Sequence, residues 1–110
     1  MREIIRSIEF DVFYGTLPIN VQEKLRYALY IISDLKVVSS KLLKKLTNTI
    51  FYELRISMVN EYRVIVFTID HENIIEAEQI LLLNGFIKKS TKDYKKEINK
   101  AVQILKNLQK

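Results

Sequence analysis

At Ile50 the spacing of apolar residues changes from that of a helix to that of a strand, and this change constrains the C-terminal half of the chain. Ile50, Tyr52, Leu54, Ile56 and Met58 stand at every second position. Successive side chains of an extended chain point to opposite faces, so these five share one face and Phe51, Glu53, Arg55 and Ser57 share the other. After a short connection around Val59 and Asn60, the β-branched and aromatic run from Tyr62 to Ile69 supplies an antiparallel partner. The acidic stretch from Asp70 to Glu78 reads as a loop. The run from Ile80 to Ile87, apolar almost throughout, reads as a central strand covered on both faces. Helical spacing returns beyond Lys89, where Ile98, Ala101, Val102, Leu105 and Leu108 form one stripe and Ser90, Thr91 or Asp93 can cap the helix.

The N-terminal half follows from the same periodicities. Arg2 to Phe10, rich in Ile and Phe, reads as a strand, with Gly15 and Pro18 closing the connection after it. Asn20 followed by Glu23 is a capping-box pattern, and Val21, Leu25, Ala28, Leu29, Ile32 and Leu35 recur at helical spacing. Ser39 and Ser40 are candidate caps for a shorter second helix that buries Leu42, Leu43 and Leu46 and turns Lys41, Lys44 and Lys45 outward. The expected class is therefore α+β: an N-terminal strand and helical hairpin, a three-stranded antiparallel meander and a C-terminal helix. A chain of 110 residues suits one domain spanning residues 1–110.

Composition narrows the chemistry. The chain has no cysteine, which removes disulfides, thiolate metal sites and a cysteine nucleophile and fits a reducing compartment. His71 is the single histidine, so a histidine-based triad or metal cluster lacks its parts, and no metal or cofactor is expected. With only Gly15 and Gly85, no glycine-rich phosphate loop exists. Acidic residues interrupt the apolar N-terminal stretch, which speaks against a secretory signal or a membrane span and makes the cytoplasm the expected location.

The net charge of +5 is unevenly distributed. Residues 88–110 hold eight lysines against two acids, and Lys36, Lys41, Lys44 and Lys45 form a second acid-free stretch. Such polarity suits a polyanionic partner, because cations that neutralise phosphates release counterions. The plain alternative is a solvated lysine-rich surface. Arg55 and Arg63 flank the connection at Asn60, and a loop with an odd number of residues would place them on one face within about 5.5 Å between Cα atoms. Unless Glu53, Glu61 or another acid lies between them, that pair demands an anion; the alternative for each is an ion pair. Lys88 and Lys89 then stand at the approach to the last helix, where cations destabilise the helix dipole unless an anion binds nearby. Phe86 beside them is either core or a base-stacking surface.

Four pieces of this half occur together in a recognisable order. They are F-Y-E-L-R-I at residues 51–56, E-Y-R-V at 61–64, L-L-N-G-F-I-K-K-S-T-K at 82–92 and K-K-E-I-N-K-A at 95–101. This order and spacing resembles the RelE/HigB-like toxin superfamily of type II toxin–antitoxin pairs, most closely its phage-derived branch. The resemblance implies a toxin held inactive by a cognate antitoxin, commonly a helix-turn-helix protein. Released, such a toxin binds the ribosome and cleaves mRNA in the decoding site as a metal-independent endoribonuclease, or mRNA interferase. Catalysis would rest on Arg63 at the scissile phosphate, with Arg55 and Lys88 beside it, while Lys89, Lys92, Lys44, Lys45 and Phe86 would contact RNA. Tyr94, which stands where this branch often has proline and is out of register with the catalytic tyrosine of RelE, is a further catalytic candidate as a proton donor or acceptor, or else a stacking surface. Where RelE-type enzymes carry a lysine before the L-R pair, this chain has Glu53, so the resemblance supplies no general base. The competing reading is a non-nucleolytic relative, either a ParE-like gyrase inhibitor or a decayed toxin.

Overall fold

Ser7 ends the first strand and starts a helix. Its hydroxyl accepts from the backbone N–H of Phe10 at 3.0 Å and donates to the carbonyl of Leu83 at 2.5 Å, so one side chain caps the helix and ties it to the sheet. The computed structural model describes residues 1–109, in which β1 (Glu3–Arg6) is followed by α1 (Ile8–Thr16) and α2 (Ile19–Asp34). The strand expected over residues 2–10 is thus shorter than its apolar composition suggests. Phe10, Phe13 and Tyr14 recur at helical spacing after Ser7, and burial of Phe10 to 1% exposure settles this segment as a helix.

The helical hairpin exists, but it is α1 and α2, joined at Leu17 and Pro18, and the helix begins one residue before Asn20. The helix expected after Ser40 does not form: only a single turn remains, with the N–H groups of Leu42 and Leu43 bonded to the carbonyl of Ser39. Leu43–Lys45 instead forms β2, an edge strand paired antiparallel to β3 (Phe51–Met58). A helix of so few residues nucleates poorly, whereas pairing with a buried strand satisfies its backbone and places Leu43 in the core.

The chain continues through β4 (Asn60–Thr68), β5 (Gln79–Lys88) and α3 (Lys92–Leu108). The sheet order is β1-β5-β4-β3-β2, antiparallel except for the parallel pair β1–β5. The two-helix excursion carries β1 to the far side of β5, so the sheet is mixed rather than wholly antiparallel. One face is covered by α1 and α2, where Phe10, Leu25, Ala28 and Ile32 meet Leu54, Val64, Val66 and Leu82. The other is covered by α3, where Ala101, Ile104 and Leu105 meet Phe51, Ile65, Leu83 and Phe86. Ile104 belongs to the buried stripe, and Leu108 remains 54% exposed.

Gly85 fixes how closely α1 approaches β5, since a Cβ there would lie 2.2 Å from Cδ2 of Phe13. The β4–β5 register shifts between Val64 and Val66, a bulge that opposes Leu83 and Asn84 to Ile65. Asn84, beside the irregularity, is buried and donates to the carbonyl and Oε1 of Glu97 on α3, at 3.1 and 3.0 Å.

The acidic loop is pinned rather than loose. The carboxylate of Asp70 accepts from the N–H groups of Glu78 and Gln79, and the Tyr52 hydroxyl accepts from the N–H of Ile74 at 3.1 Å. From the opposite side, the buried guanidinium of Arg2 donates to carbonyls of Ile74, Ala77, Ile32, Leu35 and Lys36, joining this loop to the end of α2. Its pKa is lowered by burial. No described helix is long and apolar enough to cross a membrane.

Candidate functional site

The connection between β3 and β4 leaves one residue, Val59, outside the ladder between the paired Met58 and Asn60. This odd count puts Arg55 directly opposite Arg63, both on the face that α3 covers. Two glutamates answer the two cations. Glu53 Oε1 lies 3.3 Å from Nε of Arg55 and 3.3 Å from Nε of Arg63, and a nitrogen of Arg63 donates to Glu61 Oε1 at 3.2 Å. The pair therefore does not demand an outside anion, as it would with no acid between.

Tyr94, projecting from the first turn of α3, closes this cluster. Its hydroxyl donates to Glu53 Oε1 at 3.1 Å and accepts from Nε of Arg63 at 3.2 Å. A further nitrogen of Arg63 donates to the carbonyl of Tyr62 at 3.0 Å, and the side chain is 2% exposed. Burial opposes the charge on Arg63, but the bonds to Tyr94 and Glu61 and the charge of Glu53 outweigh it and raise its pKa. Burial likewise raises the pKa of Tyr94, assisted by Glu53 and opposed by Arg63. The carboxyl of Glu61 is held below its ordinary value by the Ser57 hydroxyl, which donates at 2.7 Å, and by Arg63.

The remaining expected residues divide between the two faces. Arg55 keeps 34% of its side chain exposed. Lys88, opposite Glu61 on the ladder, places Nζ 5.6 Å from the centre of the Tyr94 ring. Lys44 pairs with Glu53 and so shares its face. Lys89 and Lys92 are exposed beside the start of α3. Lys45 is not part of this group: it turns to the other face, where Nζ stands 5.3 Å from the Tyr52 ring centre and donates to the carbonyl of Thr49. Phe86 is 8% exposed and meets the Tyr94 ring edge-on, with centroids 5.6 Å apart, so it supports the tyrosine from the core rather than offering a stacking face.

Asp93 organises the approach to α3. Its Oδ2 accepts from the N–H groups of Lys89 and Ser90 at 2.8 and 3.0 Å, and these bonds lower its pKa. The sequence offered Asp93 as a cap of this helix; it stands in the first turn instead, after Thr91 at the N-cap, and its carboxylate ties down the two residues that precede the helix. The central role of Glu53 was visible only as a possibility, since its three partners lie on three different elements. Lys44, Lys88, Lys89 and Lys92 have no acid partner among the described residues, so the open charge of this face is positive. No group of three possible metal-ligating side chains occurs among the described residues.

These features can be set beside known proteins. The sequence profile of the family described as phage derived protein Gp49-like (DUF891) matches residues 13–106. No curated protein sequence matches the chain. Among solved structures, a chain of the intact E. coli RelBE toxin–antitoxin complex superposes with a TM-score of 0.62 at 14% identity, covering 82% of this chain and 100% of that one. A doubly substituted E. coli RelE in the free state gives a TM-score of 0.63 at 15% identity, with 93% and 95% covered. The isolated E. coli RelE toxin gives 0.56 at 13% identity, with 90% and 97% covered. The fold is thus that of RelE, and with most of its length matched by the family profile the chain belongs to the phage-derived Gp49-like family.

Proposed function

We propose that the protein is the toxin of a toxin–antitoxin pair and cuts mRNA on the ribosome by attack of the RNA 2′-hydroxyl on the adjacent phosphate. The observation that carries this reading is the juxtaposition of Arg55, Arg63 and Lys88 at one point of a face whose other lysines have no acid partners. In that reaction the protein supplies charge to the pentacovalent phosphate and moves protons, which needs no metal. Arg55 and Lys88 are exposed enough to meet the phosphate directly. Arg63 lies beneath them and reaches it when Tyr94 and Glu61 yield their bonds to the incoming anion. Lys44, Lys89 and Lys92 hold the flanking RNA. The likeness to a chain from the RelBE complex supports an antitoxin as partner, and we assign it the same basic face, which an acidic segment would cover.

A second reading has an observation of its own. Glu53 and Glu61 compensate the arginine pair, which suits a face that binds another protein without cleaving RNA, as in a gyrase inhibitor. Induction in bacteria, with protein synthesis, DNA synthesis and transcript ends followed separately, distinguishes the two. Cleavage predicts that translation stops first and that new transcript ends carry a 5′-hydroxyl. Arrest of DNA synthesis with intact transcripts would replace the nuclease reading with the second.

A further inference from the structure

We propose that Glu53 is the general base that takes the proton from the attacking 2′-hydroxyl. This rests on the nuclease reading and adds the group that neither motif nor family likeness supplies.

The two oxygens of the Glu53 carboxylate are unlike. Oε1 carries every contact of the side chain: Arg55, Arg63 and the Tyr94 hydroxyl, all at 3.1 to 3.3 Å. Oε2 makes no hydrogen bond among the described residues. It is also not an enclosed orphan, because the only fully buried side-chain oxygen without a partner there is Oδ1 of Asn84. Glu53 is therefore held in one orientation through one oxygen while the other, on a side chain 6% exposed, faces what little solvent reaches the site. A base fixed in this way is oriented before the substrate arrives.

The other groups at the site are poorer acceptors. Tyr94 keeps its proton at neutral pH, because burial lifts its pKa further from that range. Glu61 is 47% exposed and is held by the Ser57 hydroxyl and Arg63 at the solvent edge of the cluster, without the second arginine and the tyrosine that fix Glu53. His71 lies in the loop after β4 and spends Nδ1 on the N–H of Asn73. The charged and titratable groups facing Glu53 are Arg55 on its own strand, Lys44 on β2, Arg63 and Glu61 on β4, Lys88 on β5 and Tyr94 on α3.

In the step itself, the 2′-oxygen forms a bond to phosphorus as its proton passes to Oε2, and the bond from phosphorus to the 5′-oxygen breaks. The leaving oxygen takes a proton from water, and the carboxylic acid returns its own to solvent. The products are a 2′,3′-cyclic phosphate and a 5′-hydroxyl. Arg55 and Arg63 thereby serve twice, fixing the base through Oε1 and offsetting charge on the phosphate.

The test is single-turnover cleavage of mRNA on saturating ribosomes, with the folded fraction and the ribosome binding of each variant measured beside it. Glu53→Gln cannot take the proton and should cut about 10²-fold or more slowly while remaining folded and binding ribosomes within about threefold of wild type. Glu53→Asp should be slower than wild type but keep more of the rate than Glu53→Gln. A folded, ribosome-bound Glu53→Gln protein that cuts at close to the wild-type rate overturns the proposal, and so does a Glu53→Asp protein no faster than Glu53→Gln. Failure of the wild type to cut any transcript removes the nuclease reading itself, which separates that failure from one confined to Glu53.

Discussion

Glu53 Oε1 stands 3.3 Å from the Nε atoms of both Arg55 and Arg63, residues that face each other across the β3–β4 ladder with very different exposure, 34% and 2%. The same carboxylate therefore makes one partly solvated pair and one buried pair. Removing Arg63 leaves a buried anion with half its compensation, which costs about 3 to 5 kcal/mol. Arg63→Ala should lower the free energy of unfolding, measured by denaturant titration, by that amount, and Arg55→Ala by about 1 kcal/mol or less. An Arg63→Ala protein as stable as wild type would show the buried pair to be dispensable. Activity lost in Arg63→Ala is accordingly evidence about mechanism only when the folded fraction is measured beside it.

Gly85 should not accept a side chain. A Cβ 2.2 Å from the Phe13 ring forces α1 away from β5, and overpacking of this kind costs about 1 to 3 kcal/mol. Gly85→Ala should be destabilised by that amount, and Phe13→Leu in the same chain should recover part of it. Equal midpoints for Gly85→Ala and wild type in urea would show that the ring moves freely.

Val59 adopts φ of 61° and is fully exposed. A β-branched residue in the left-handed region is strained, and glycine there is not. Val59→Gly should raise stability by about 1 kcal/mol, the strain relieved less the greater freedom of the unfolded chain. Thermal denaturation reads this directly, and a lower midpoint would place the strain elsewhere.

Asp70 and Asp93 make acid the weak side of this fold. Backbone N–H groups of Glu78 and Gln79, and of Lys89 and Ser90, lower their pKa values from the ordinary 3.8. Each carboxylate thus contributes stability that is complete above 3.8 and is lost as the pH falls through the lower folded value. Amide exchange at Glu78, Gln79, Lys89 and Ser90 should accelerate first on acidification. In Asp93→Asn the Lys89 and Ser90 amides should exchange faster already at neutral pH, with Glu78 unaffected.

Cleavage should need no metal held by the protein, because no three donors converge among the described residues and 2′-hydroxyl attack requires none. Protein stripped with chelator and added to preassembled magnesium-bearing ribosomes should cut at the untreated rate. Recovery only on addition of one equivalent of a metal per protein would contradict this.

Local spacing alone determined β3, β4, β5 and α3, because period-two and period-3.6 patterns of apolar residues report directly on which side of an element is buried. It also determined that Arg55 and Arg63 would share a face for an odd loop, and the position of Val59 made the loop odd. Tertiary structure decided the rest where local preferences were weak. Residues 8–16 became a helix because Phe10 and Phe13 meet β5 and its neighbours, and Leu43–Lys45 became a strand because β3 offered an edge, which sent Lys44 and Lys45 to opposite faces. The enclosure of Arg63 depended on Tyr94, distant in sequence and delivered by the packing of α3. No local pattern encodes that contact: a side chain's spacing fixes the face it occupies, whereas what covers that face is set by nonlocal burial.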